Sequence, residues 1–531
     1  MIFYVVIFCS GAAILALELL ASRVMTPYFG VSLYIWTGIL SITLVALALG
    51  YWIGGRLTRK ASPASLARLY ALLPAVAALA IVASCLTYPY AFAPLANWSL
   101  LLGAFAACVL LLFAPLMLTS AMNPLLVAIN AAGAHKRSGD AGSGGVFFIS
   151  TVGSVAGVLI TAFGLIPYFT NYTAVLLIAL TLAALSLAIA AHARTGLRSR
   201  GAIAATAVIA AAAAVVLMWQ ADAYTGRLGP VAYAGETWRV EATLGSLFGT
   251  VKILRSERDP ATGRFQRIYF HDGMTQNTVD STGASMSFYT YALEGLARGY
   301  RPGMKHVLAL GMGAGIVPMR LAERGAAVDV VEINPVSLDV AQRYFRFDAS
   351  RVQVHVTDAR TYVRACPRQY DVVVVDLFQG DGTPEYLVTR EFFHDLARCM
   401  TPDGLAVFNT FADLEHPVSY AHFLATLRSE LPHLALYRPH WPDAVHINSF
   451  VVASASALPE KHAVVFDHVP ARHREPLFDM LARPLPLDEA LFAGGKVVTD
   501  AHNGAAHDLA LTEVVYRRAV VENLPAELLL N

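Results

Sequence analysis

The sequence predicts a polytopic α-helical membrane domain followed by an α/β domain built on a parallel sheet. Hydrophobic residues make up 56% of the 531 residues and charged residues only 15%, which is far from the composition of a typical soluble protein. The charge is also divided, because residues 1–219 contain ten Lys or Arg but only two acidic residues, Glu18 and Asp140. After residue 220, long apolar runs give way to short Val-rich runs that alternate with charged stretches. We therefore expect two unlike domains in one chain.

Composition also excludes several classes of function. Residues 220–531 hold the remaining 29 basic and 36 acidic side chains, and the basic residues of the first half lie in short loops, so we expect no nucleic-acid partner. The five cysteines form no CxxC or Cys/His cluster with the spacing of a zinc site. Cys366 and Cys399 are isolated in sequence, so we expect reduced cysteines and no metal.

Seven apolar runs are each long enough to cross the bilayer, which takes about 20 residues for roughly 30 Å of hydrocarbon. The first run lacks the basic start and the cleavage site of a signal peptide. Several runs are rich in Ala and Gly, GSVAGVLITAFG among them, which lets helices pack closely. A packed anchor is the simpler interpretation, and a transport path is the alternative. The predicted spans are residues 2–22, 34–55, 66–86, 99–122, 146–166, 172–191 and 201–219.

Glu18 is an ionisable residue inside the first predicted span. A carboxylate in that position is costly unless it faces a cation or a polar cavity. Arg23, five residues further on, is the candidate partner for an ion pair. Contact with a substrate or a lipid headgroup is the alternative.

Loops that contain Lys and Arg are expected to be cytoplasmic. The topology that follows from this rule is awkward for a domain that needs a cytosolic nucleotide. An odd number of spans would place residues 221–531 outside the cell, unless 201–219 does not cross or the count is wrong by one. The sequence leaves the side of the membrane open. The basic residues follow the second, fourth and sixth spans: Arg56, Arg59, Lys60 and Arg68, then Lys136 and Arg137, then Arg194, Arg198 and Arg200.

The second half predicts a small antiparallel unit followed by an α/β domain. In residues 236–280, two β-type stretches flank the turn sequence DPATG. Strands and helices alternate after it, as expected for a doubly wound parallel sheet. We predict a membrane domain over 1–220, a β cap over 221–280 and the α/β domain over 281–531. The predicted strands are 307–310, 328–333, 352–356, 371–376, 405–411 and, further on, stretches near 434–438 and 447–453.

Candidate ligand-binding residues stand where the first four of these strands end. Ligands of such sheets bind beyond the carboxyl ends of the strands. The turn Gly311–Gly315 ends the first strand, and Glu332 ends the second, where a carboxylate can hold both hydroxyls of a ribose. Asp358 follows the third strand but is also placed to cap the next helix. Asp376 ends the fourth, where a buried charge would be costly without a ligand or partner. Since the dinucleotide spacing GxGxxG is not kept, the series favours an adenosyl sulfonium cofactor.

With these residues in place, the second half resembles the spermidine synthase family of aminopropyltransferases, from about Ser246 to Phe411. The apolar first half and its ELLASR and PYFG stretches are similar to the membrane-fused bacterial branch, which implies a multi-pass protein of the inner membrane. The resemblance implies a Rossmann-like fold of the class I methyltransferase type with a small β-hairpin cap. The matching stretches are YFHDGMTQ (269–276), SFYTYAL (287–293), LGMGAG (310–315), VVEINP (330–335), TDAR (357–360), YDVVVVDLFQGDG (370–382) and LVTREFF (387–393).

The resemblance also implies a reaction and a role for each matching residue. Asp376 would take a proton from an attacking amine such as putrescine, while decarboxylated S-adenosylmethionine gives up its aminopropyl group, a step of polyamine biosynthesis. The remaining roles implied are Glu332 for the ribose, Asp358 and Ala359 for the adenine, Gly311, Gly313 and Gly315 against the nucleoside, and Gln276, Tyr289, Gln379 and Asp381 along the substrate cleft.

Three departures from the family lie where the aminopropyl group should be recognised. Ala314 replaces an aspartate that binds the terminal ammonium of the donor, Thr290 replaces a histidine, and Gln379 replaces the second acid of an Asp-x-x-Asp loop, for which Asp381 is a substitute two residues further on. Losing an ion-paired contact in a closed site costs a few kcal/mol, roughly 10² to 10⁴ in affinity. The donor is therefore either decarboxylated or intact S-adenosylmethionine.

Three functions follow from this sequence. The first is a membrane-bound aminopropyltransferase acting on a small amine. The second is a methyl- or aminocarboxypropyltransferase that uses S-adenosylmethionine itself, because an alanine at position 314 does not repel the carboxylate of the intact donor. The third is a transporter or scaffold with a degenerate nucleoside-binding domain. The resemblance leaves a homo-oligomer open, since soluble members of the family form dimers or tetramers.

Overall fold

The computed structural model forms two compact units. The first contains Met1–Tyr233, Thr243–Gly249 and Arg518–Asn531, and the second contains Ala234–Ala242 and Thr250–Arg517. The domain boundaries predicted at residues 220 and 280 stay predictions. The structure describes residues 2–30, 33–59, 61–98, 100–132, 139–192, 197–221, 229–378, 382–413, 417–440, 446–504, 517–518 and 520–530.

The first unit consists of apolar helices, as the sequence predicts. In the described residues, seven helical segments have the length and apolar character needed to cross a membrane. Each is longer than its apolar run, since helix formation continues into the flanking polar residues. The helices are α1 (Ile2–Phe29), α2 (Leu33–Thr58), α3 (Pro63–Ala96), α4 (Leu100–Cys108), α5 (Ala114–Ser120), α6 (Met122–Ala132), α7 (Gly139–Ile160), α8 (Asn171–His192) and α9 (Leu197–Trp219), with π-helical turns at Val109–Phe113 and Thr161–Leu165.

Small residues let α1 and α7 approach closely. A Cβ atom added at Gly153 would lie 2.0 Å from the carbonyl oxygen of Phe8, and one added at Gly157 would lie 2.2 Å from that of Ala12. Both glycines belong to the Ala- and Gly-rich stretch GSVAGVLITAFG. The two helices therefore pack backbone against backbone at these positions.

Glu18 lies on α1 and is 9% exposed within this unit. Among the described residues, no ion pair or hydrogen bond involves its carboxylate. Arg23, its expected partner, donates a hydrogen bond from Nη2 to the carbonyl oxygen of Leu247. The predicted pair between Glu18 and Arg23 is therefore not found in the part of the chain that the structure describes.

The second unit contains the mixed α/β domain and the β cap. The cap is larger than the predicted hairpin, because five strands form a sheet in the order β1-β2-β3-β4-β5. They are β1 (Val231–Tyr233), β2 (Glu236–Ser246), β3 (Gly249–Ser256), β4 (Gln266–His271) and β5 (Met274–Asp280). Of these residues, β1, the end of β2 from Thr243 and Gly249 of β3 are counted in the first unit. Asp272 and Gly273 join β4 to β5 with φ of 45° and 86°, values typical of a tight type I′ hairpin turn.

A seven-stranded sheet follows in the order β11-β12-β10-β9-β6-β7-β8. Neighbours from β10 to β8 run parallel, whereas β12 is antiparallel to both β10 and β11. The Rossmann-like fold with a parallel sheet is confirmed, and β12 is the strand that departs from the parallel arrangement. The strands are β6 (His306–Leu310), β7 (Ala327–Glu332), β8 (Gln353–Val356), β9 (Tyr370–Val375), β10 (Met400–Asp413), β11 (His433–Tyr437) and β12 (His446–Ser454).

Helices cover both faces of this sheet, and their apolar sides form two separate cores. Parallel strands buried on both faces read as continuous apolar runs, which explains sequences such as YDVVVV in β9. The helices are α10 (Phe288–Tyr300), α11 (Ile316–Glu323), α12 (Pro335–Tyr344), α13 (Ala359–Arg364), α14 (Arg390–Arg398), α15 (Pro417–Glu430) and α16 (Ala471–Ala482), and a short α17 (Ala526–Leu529) belongs to the first unit.

Cys366 and Cys399 form a disulfide, with their Cα atoms 5.7 Å apart. The expectation that both are reduced is therefore wrong. Cys366 follows α13 and Cys399 follows α14 directly, so folding brings together two residues 33 positions apart. Cys85 and Cys108 are free and buried in the helical unit, as expected of packing cysteines.

Candidate active site

The candidate site is built around the turn between β6 and α11. Gly311 has φ of +88°, and a Cβ atom there would lie 2.1 Å from the carbonyl oxygen of Asp376. Gly315 has φ of +76°, and a Cβ atom there would lie 2.3 Å from the ring of Phe347. Only glycine fits either position, so this turn brings its backbone against the end of β9.

Asp376 stands at the carboxyl end of β9, directly beside this turn. Its N–H donates to the carbonyl oxygen of Leu310 at 2.9 Å, which continues the pairing of β6 with β9. Burial raises the pKa of the Asp376 carboxyl to about 6, and the nearby Glu332 adds to the rise, while a hydrogen bond from Asn409 opposes it. At neutral pH the group is therefore mainly ionised, yet more basic than an ordinary aspartate.

Two asparagines on neighbouring strands hold this carboxylate. Asn409 on β10 donates from Nδ2 to Oδ1 of Asp376 at 2.8 Å. Asn448 on β12 donates from its own Nδ2 to Oδ1 of Asn409 at 2.9 Å. Because the second bond fixes the orientation of the Asn409 amide, its NH₂ group points at Oδ1 of Asp376. Among the described residues, no hydrogen bond to Oδ2 of Asp376 is found.

Glu332 ends β7 and supports the glycine turn from the other side. Its two carboxylate oxygens accept hydrogen bonds from Met312 N–H at 3.1 Å and from Asn334 N–H at 2.8 Å. Burial raises the pKa of Glu332, and the backbone hydrogen bonds partly oppose this rise. The role predicted for this residue, binding of ribose hydroxyls, stays a prediction.

Asp358 caps the start of helix α13, as its position before this helix predicts. Its Oδ2 accepts from Thr361 N–H at 2.8 Å, and its Oδ1 accepts from the hydroxyl of Tyr386 at 3.0 Å. Ala359 next to it is buried. Arg360 donates from Nη1 to the carbonyl oxygen of Tyr386 at 2.9 Å, so the segment after β9 is tied to α13 at two points.

The cap contributes Gln276 and Asn277 from β5. Asn277 accepts the N–H of Ala314 at 2.9 Å through Oδ1 and donates through Nδ2 to the hydroxyl of Tyr289 at 2.7 Å. Tyr289 is close enough to Asp376 for that carboxylate, together with burial, to raise the pKa of the phenol. Gln276 is half-buried on the same strand. The amide of Asn277 thus links the glycine turn to the predicted cleft residue Tyr289.

The three family departures have different surroundings. Ala314 is 1% exposed, so its methyl group faces protein. Thr290 is fully buried, and its hydroxyl donates to the carbonyl oxygen of Ser287 at 2.8 Å, which satisfies it within its own helix start. Gln379 and Asp381 lie outside the described residues, so their predicted substrate contacts stay predictions.

The structure brings the turn, Glu332, Tyr289 and Asp376 together, and it adds three asparagines that sequence reasoning missed. Asn277 follows the quoted DGMTQ stretch directly, and Asn409 interrupts the apolar run LAVFNTF where a buried strand ends, so both carried a usable signal. Asn448 on β12 had none, because its importance depends on an antiparallel strand placement that local sequence does not encode.

A small cavity lies between these groups. Its walls include Asn277, Tyr289, Gly311, Met312 and Asp376. A larger cavity of about 430 Å³ lies along α11 near Arg320 and Arg346 and has Gly315 in its wall, but not Asp376. In the described part of the chain, no three His, Cys, Asp or Glu side chains are grouped as a metal site would require.

Residues 286–451 match the family model described as the spermine/spermidine synthase domain. This range contains the glycine turn, Glu332, Asp358, Asp376 and Asn409. The C-terminal half of the chain thus contains a spermine/spermidine synthase domain, as the resemblance implied.

Curated relatives match shorter stretches of this chain. A polyamine aminopropyltransferase of Vibrio vulnificus is 38% identical over 136 residues, which is 24% of this chain and 44% of the relative. The N-terminal histidine N-methyltransferase of Emericella nidulans is 32% identical over 138 residues, 25% of this chain and 24% of the relative. The spermine synthase of Arabidopsis thaliana is 34% identical over 109 residues, 19% of this chain and 30% of the relative. The chain therefore spans less than half the length of these relatives.

Solved structures are also similar to this chain. The spermidine synthase of Thermotoga maritima has a TM-score of 0.38 and 18% identity, covering 50% of this chain and 96% of that protein. Human methyltransferase-like protein 13 in complex with SAH has a TM-score of 0.27 and 23% identity, covering 38% of this chain and 92% of that protein.

Proposed function

We propose that this protein, whose C-terminal half contains a spermine/spermidine synthase domain, is a membrane-bound aminopropyltransferase of polyamine biosynthesis. It would transfer the aminopropyl group of decarboxylated S-adenosylmethionine to a small amine such as putrescine. The observation that carries this proposal is the placement of Asp376 beside the glycine turn, with Asn409 holding one of its oxygens at 2.8 Å.

The reaction asks little of the protein beyond a base and good positioning. The amine nitrogen attacks the carbon bonded to the sulfonium, the N–C bond forms, and the C–S bond breaks with its electrons left on sulfur. Methylthioadenosine leaves, and the proton of the attacking amine goes to Asp376. A carboxylate with a pKa of about 6 suits this role, because it is ionised at neutral pH and accepts a proton more readily than an ordinary aspartate.

Residues around the base would hold the donor. Glu332 is placed for the ribose hydroxyls, and the backbone of Gly311–Gly315 would lie against the nucleoside. Asp358, Ala359 and Tyr386 would face the adenine, with Asp358 already oriented by its cap bond and by Tyr386. Gln276 and Tyr289 would line the amine side, together with Gln379 and Asp381 of the loop after β9.

The seven apolar helices support insertion in a cell membrane as a multi-pass domain. Their helix-to-helix packing, with Gly153 and Gly157 against α1, suits a compact anchor. A carboxylate buried at Glu18 is the feature that a plain anchor does not require.

The test is release of methylthioadenosine by the full-length protein in lipid nanodiscs, given decarboxylated S-adenosylmethionine and putrescine. We expect Asp376→Asn to lower kcat by about 10² or more, since general-base catalysis commonly contributes that much. Asp371→Asn is the matched control, because Asp371 is on the same strand but binds the N–H groups of Lys305 and His306 at the opposite end of the sheet. Equal rates for Asp376→Asn and the unaltered protein would refute the proposed role of the base.

A second candidate is methyl or aminocarboxypropyl transfer from intact S-adenosylmethionine. Ala314 favours it, because the N–H of this residue binds the neutral amide of Asn277 and the position carries no acid for an ammonium. The identity shared with a histidine N-methyltransferase points the same way.

Calorimetric titration separates the candidates. Tighter binding of decarboxylated S-adenosylmethionine than of the intact compound supports aminopropyl transfer. The opposite preference, reversed in Ala314→Asp, supports the second candidate. If neither compound nor methylthioadenosine binds, the transferase proposal fails and a transporter or scaffold remains.

A further inference from the structure

We call the second compact unit, Ala234–Ala242 and Thr250–Arg517, the transferase domain. We infer that this domain lies on the non-cytoplasmic side of the membrane and takes its donor and acceptor from that compartment. The inference rests on the proposed membrane insertion and deepens the proposed function. Three observations carry it: the basic residues of the helical unit, the points where the chain leaves and re-enters that unit, and the disulfide.

The basic residues of the first half are concentrated on one side. Nine of the ten Lys and Arg in residues 1–219 follow the second, fourth and sixth spans in sequence or flank those loops, and Arg23 is the exception. The three loops on the other side, near residues 31, 98 and 168, contain no Lys or Arg. Short loops rich in Lys and Arg stay in the cytoplasm, so the three uncharged loops are on the opposite side.

The helical unit shows the same two ends. At one end, the hydroxyl of Tyr70 donates to the carbonyl oxygen of Phe3 at 2.9 Å, which joins the starts of α3 and α1, next to the basic loops. At the other end, the ring centroids of Tyr28 and Phe92 are 5.3 Å apart, which joins the ends of α1 and α3. We call these the basic end and the non-basic end.

The chain leaves and re-enters the helical unit at the non-basic end. Before the transferase domain, a Cβ atom at Gly245 would lie 2.6 Å from the carbonyl oxygen of Ile166, and Leu247 accepts a hydrogen bond from Arg23. After the domain, Arg518 donates from Nη2 to the carbonyl oxygen of Asn97 at 2.7 Å. These contacts do not depend on counting spans, so they remove the alternative that residues 201–219 fail to cross.

The disulfide between Cys366 and Cys399 supports the same side. Disulfides form and persist in oxidising compartments and are rare in the cytosol, except where they are catalytic or redox-sensing. This one joins the ends of α13 and α14 next to the start of β9, where Tyr370 N–H donates to the carbonyl oxygen of Cys399 at 2.8 Å. Asp376 stands at the other end of that strand, so the disulfide is structural and not part of the reaction.

This placement sets the position of the enzyme in its reaction sequence. An adenosyl sulfonium is a permanent cation, and charged groups do not enter hydrocarbon without a large cost in free energy. A transport step must therefore deliver the donor to the side where Asp376 lies, and the aminated product is released there.

The test is labelling of single introduced cysteines in the full-length chain with a membrane-impermeant maleimide, on spheroplasts of a bacterial host. Ala261→Cys places an exposed thiol in the β cap, and Ala64→Cys is the matched control, exposed at the start of α3 on the basic end. We expect Ala261→Cys to be labelled in intact spheroplasts and Ala64→Cys only after permeabilisation. The reverse pattern would overturn the inference.

Two further readouts keep this inference separate from the proposed function. Peptide mapping without reductant, after the thiols are blocked in whole cells, should recover the Cys366–Cys399 cross-link, and finding both as blocked thiols would count against the inference. Intact spheroplasts should release methylthioadenosine from externally added decarboxylated S-adenosylmethionine. Turnover only after lysis would contradict the inference, whereas no turnover with the expected labelling pattern would refute the transferase alone.

Discussion

Asp376 lies at the carboxyl end of β9 in an environment that is unfavourable for its charge. Burial raises the pKa of its carboxyl, and the hydrogen bond from Asn409 limits that rise, leaving a pKa of about 6. The neighbouring charge of Glu332 acts in the same direction as burial. The hydrogen bond from Asn409 thus favours the ionised form of this buried carboxyl.

We predict that Asn409→Ala shifts the acidic limb of the pH profile of kcat/KM to higher pH. The hydrogen bond from Asn409 stabilises the ionised carboxylate, so its removal raises the pKa of Asp376 above about 6 and protonates the base at pH values where the unaltered enzyme is active. Profiles between pH 5 and 9 measure the shift. Asn448→Ala should shift the limb less, because Asn448 acts only through Asn409. An unchanged limb in Asn409→Ala would refute the positioning role.

We also predict that Asp376→Asn stabilises the transferase domain at pH 7.5 while it abolishes activity. The folded pKa of this carboxyl is raised from 3.8 to about 6, so its favourable contribution is complete below the unfolded pKa and is lost as the pH rises through 6. Above pH 6 the ionised carboxylate therefore lowers the free energy of unfolding by at most about 3 kcal/mol, because each unit of the pKa rise corresponds to 1.36 kcal/mol. Thermal unfolding at pH 7.5 and 5 should show a gain that shrinks at the lower pH, and a destabilised variant at pH 7.5 would contradict this.

Among the strands and helices, the glycine turn between β6 and α11 is the element with the least tolerance. Its backbone touches the carbonyl of Asp376 on one side and the ring of Phe347 on the other. Glu332 from β7 and Asn277 from β5 both bind N–H groups of this turn. Three strands thus fix the turn that would hold the nucleoside.

We predict that Gly311→Ala destabilises the transferase domain by at least about 2 kcal/mol, since it adds a clash with backbone to a left-handed conformation. Gly303→Ala is the matched control, because a Cβ atom there would meet nothing within 4 Å. Unfolding monitored by near-UV circular dichroism, with methylthioadenosine titration on the folded fraction, measures both effects. Equal stability of the two variants would show that the turn is more adaptable than its geometry indicates.

The local sequence predicts these elements well where burial controls the pattern. Strands β6, β7 and β9 are mostly buried, so each appears as an apolar run, whereas the edge strand β8 is partly exposed. Acids at or after the ends of β7, β8 and β9 then stand out against these runs. The pairing of β12 with β10 cannot be predicted from the local sequence. The hydrogen bond from Asn448 to Asn409 depends on that pairing, so the sequence did not indicate it. The disulfide was missed likewise, because Cys366 and Cys399 meet only after α13 and α14 pack. Asp358 was ambiguous, since one carboxylate can cap a helix and face a ligand.

For the chain as a whole, the segment after the transferase domain returns to the helical unit. Val521, Leu528, Leu529 and Leu530 are each at most 5% exposed. Three of them, Val521, Leu529 and Leu530, belong to the same apolar cluster as α1, α3 and α8. The segment that precedes the transferase domain also contacts the helical unit, at Gly245 and Leu247. Both connections of the transferase domain are therefore anchored in the helical unit.

We predict that Leu529→Asp destabilises the helical unit of the full-length protein. Leu529 is fully buried in the apolar cluster, and a carboxylate placed there without a partner costs several kcal/mol or forces the segment out of the cluster. Fluorescence-detected size-exclusion chromatography after heating in detergent measures the effect, and the midpoint should fall by several degrees. Glu522→Ala is the matched control, because that side chain is 51% exposed and its ion pair with Arg518 is exposed to a similar degree. If Leu529→Asp keeps the midpoint of the unaltered protein, the segment is not anchored in the helical unit, and the return of the chain to the non-basic end loses its support.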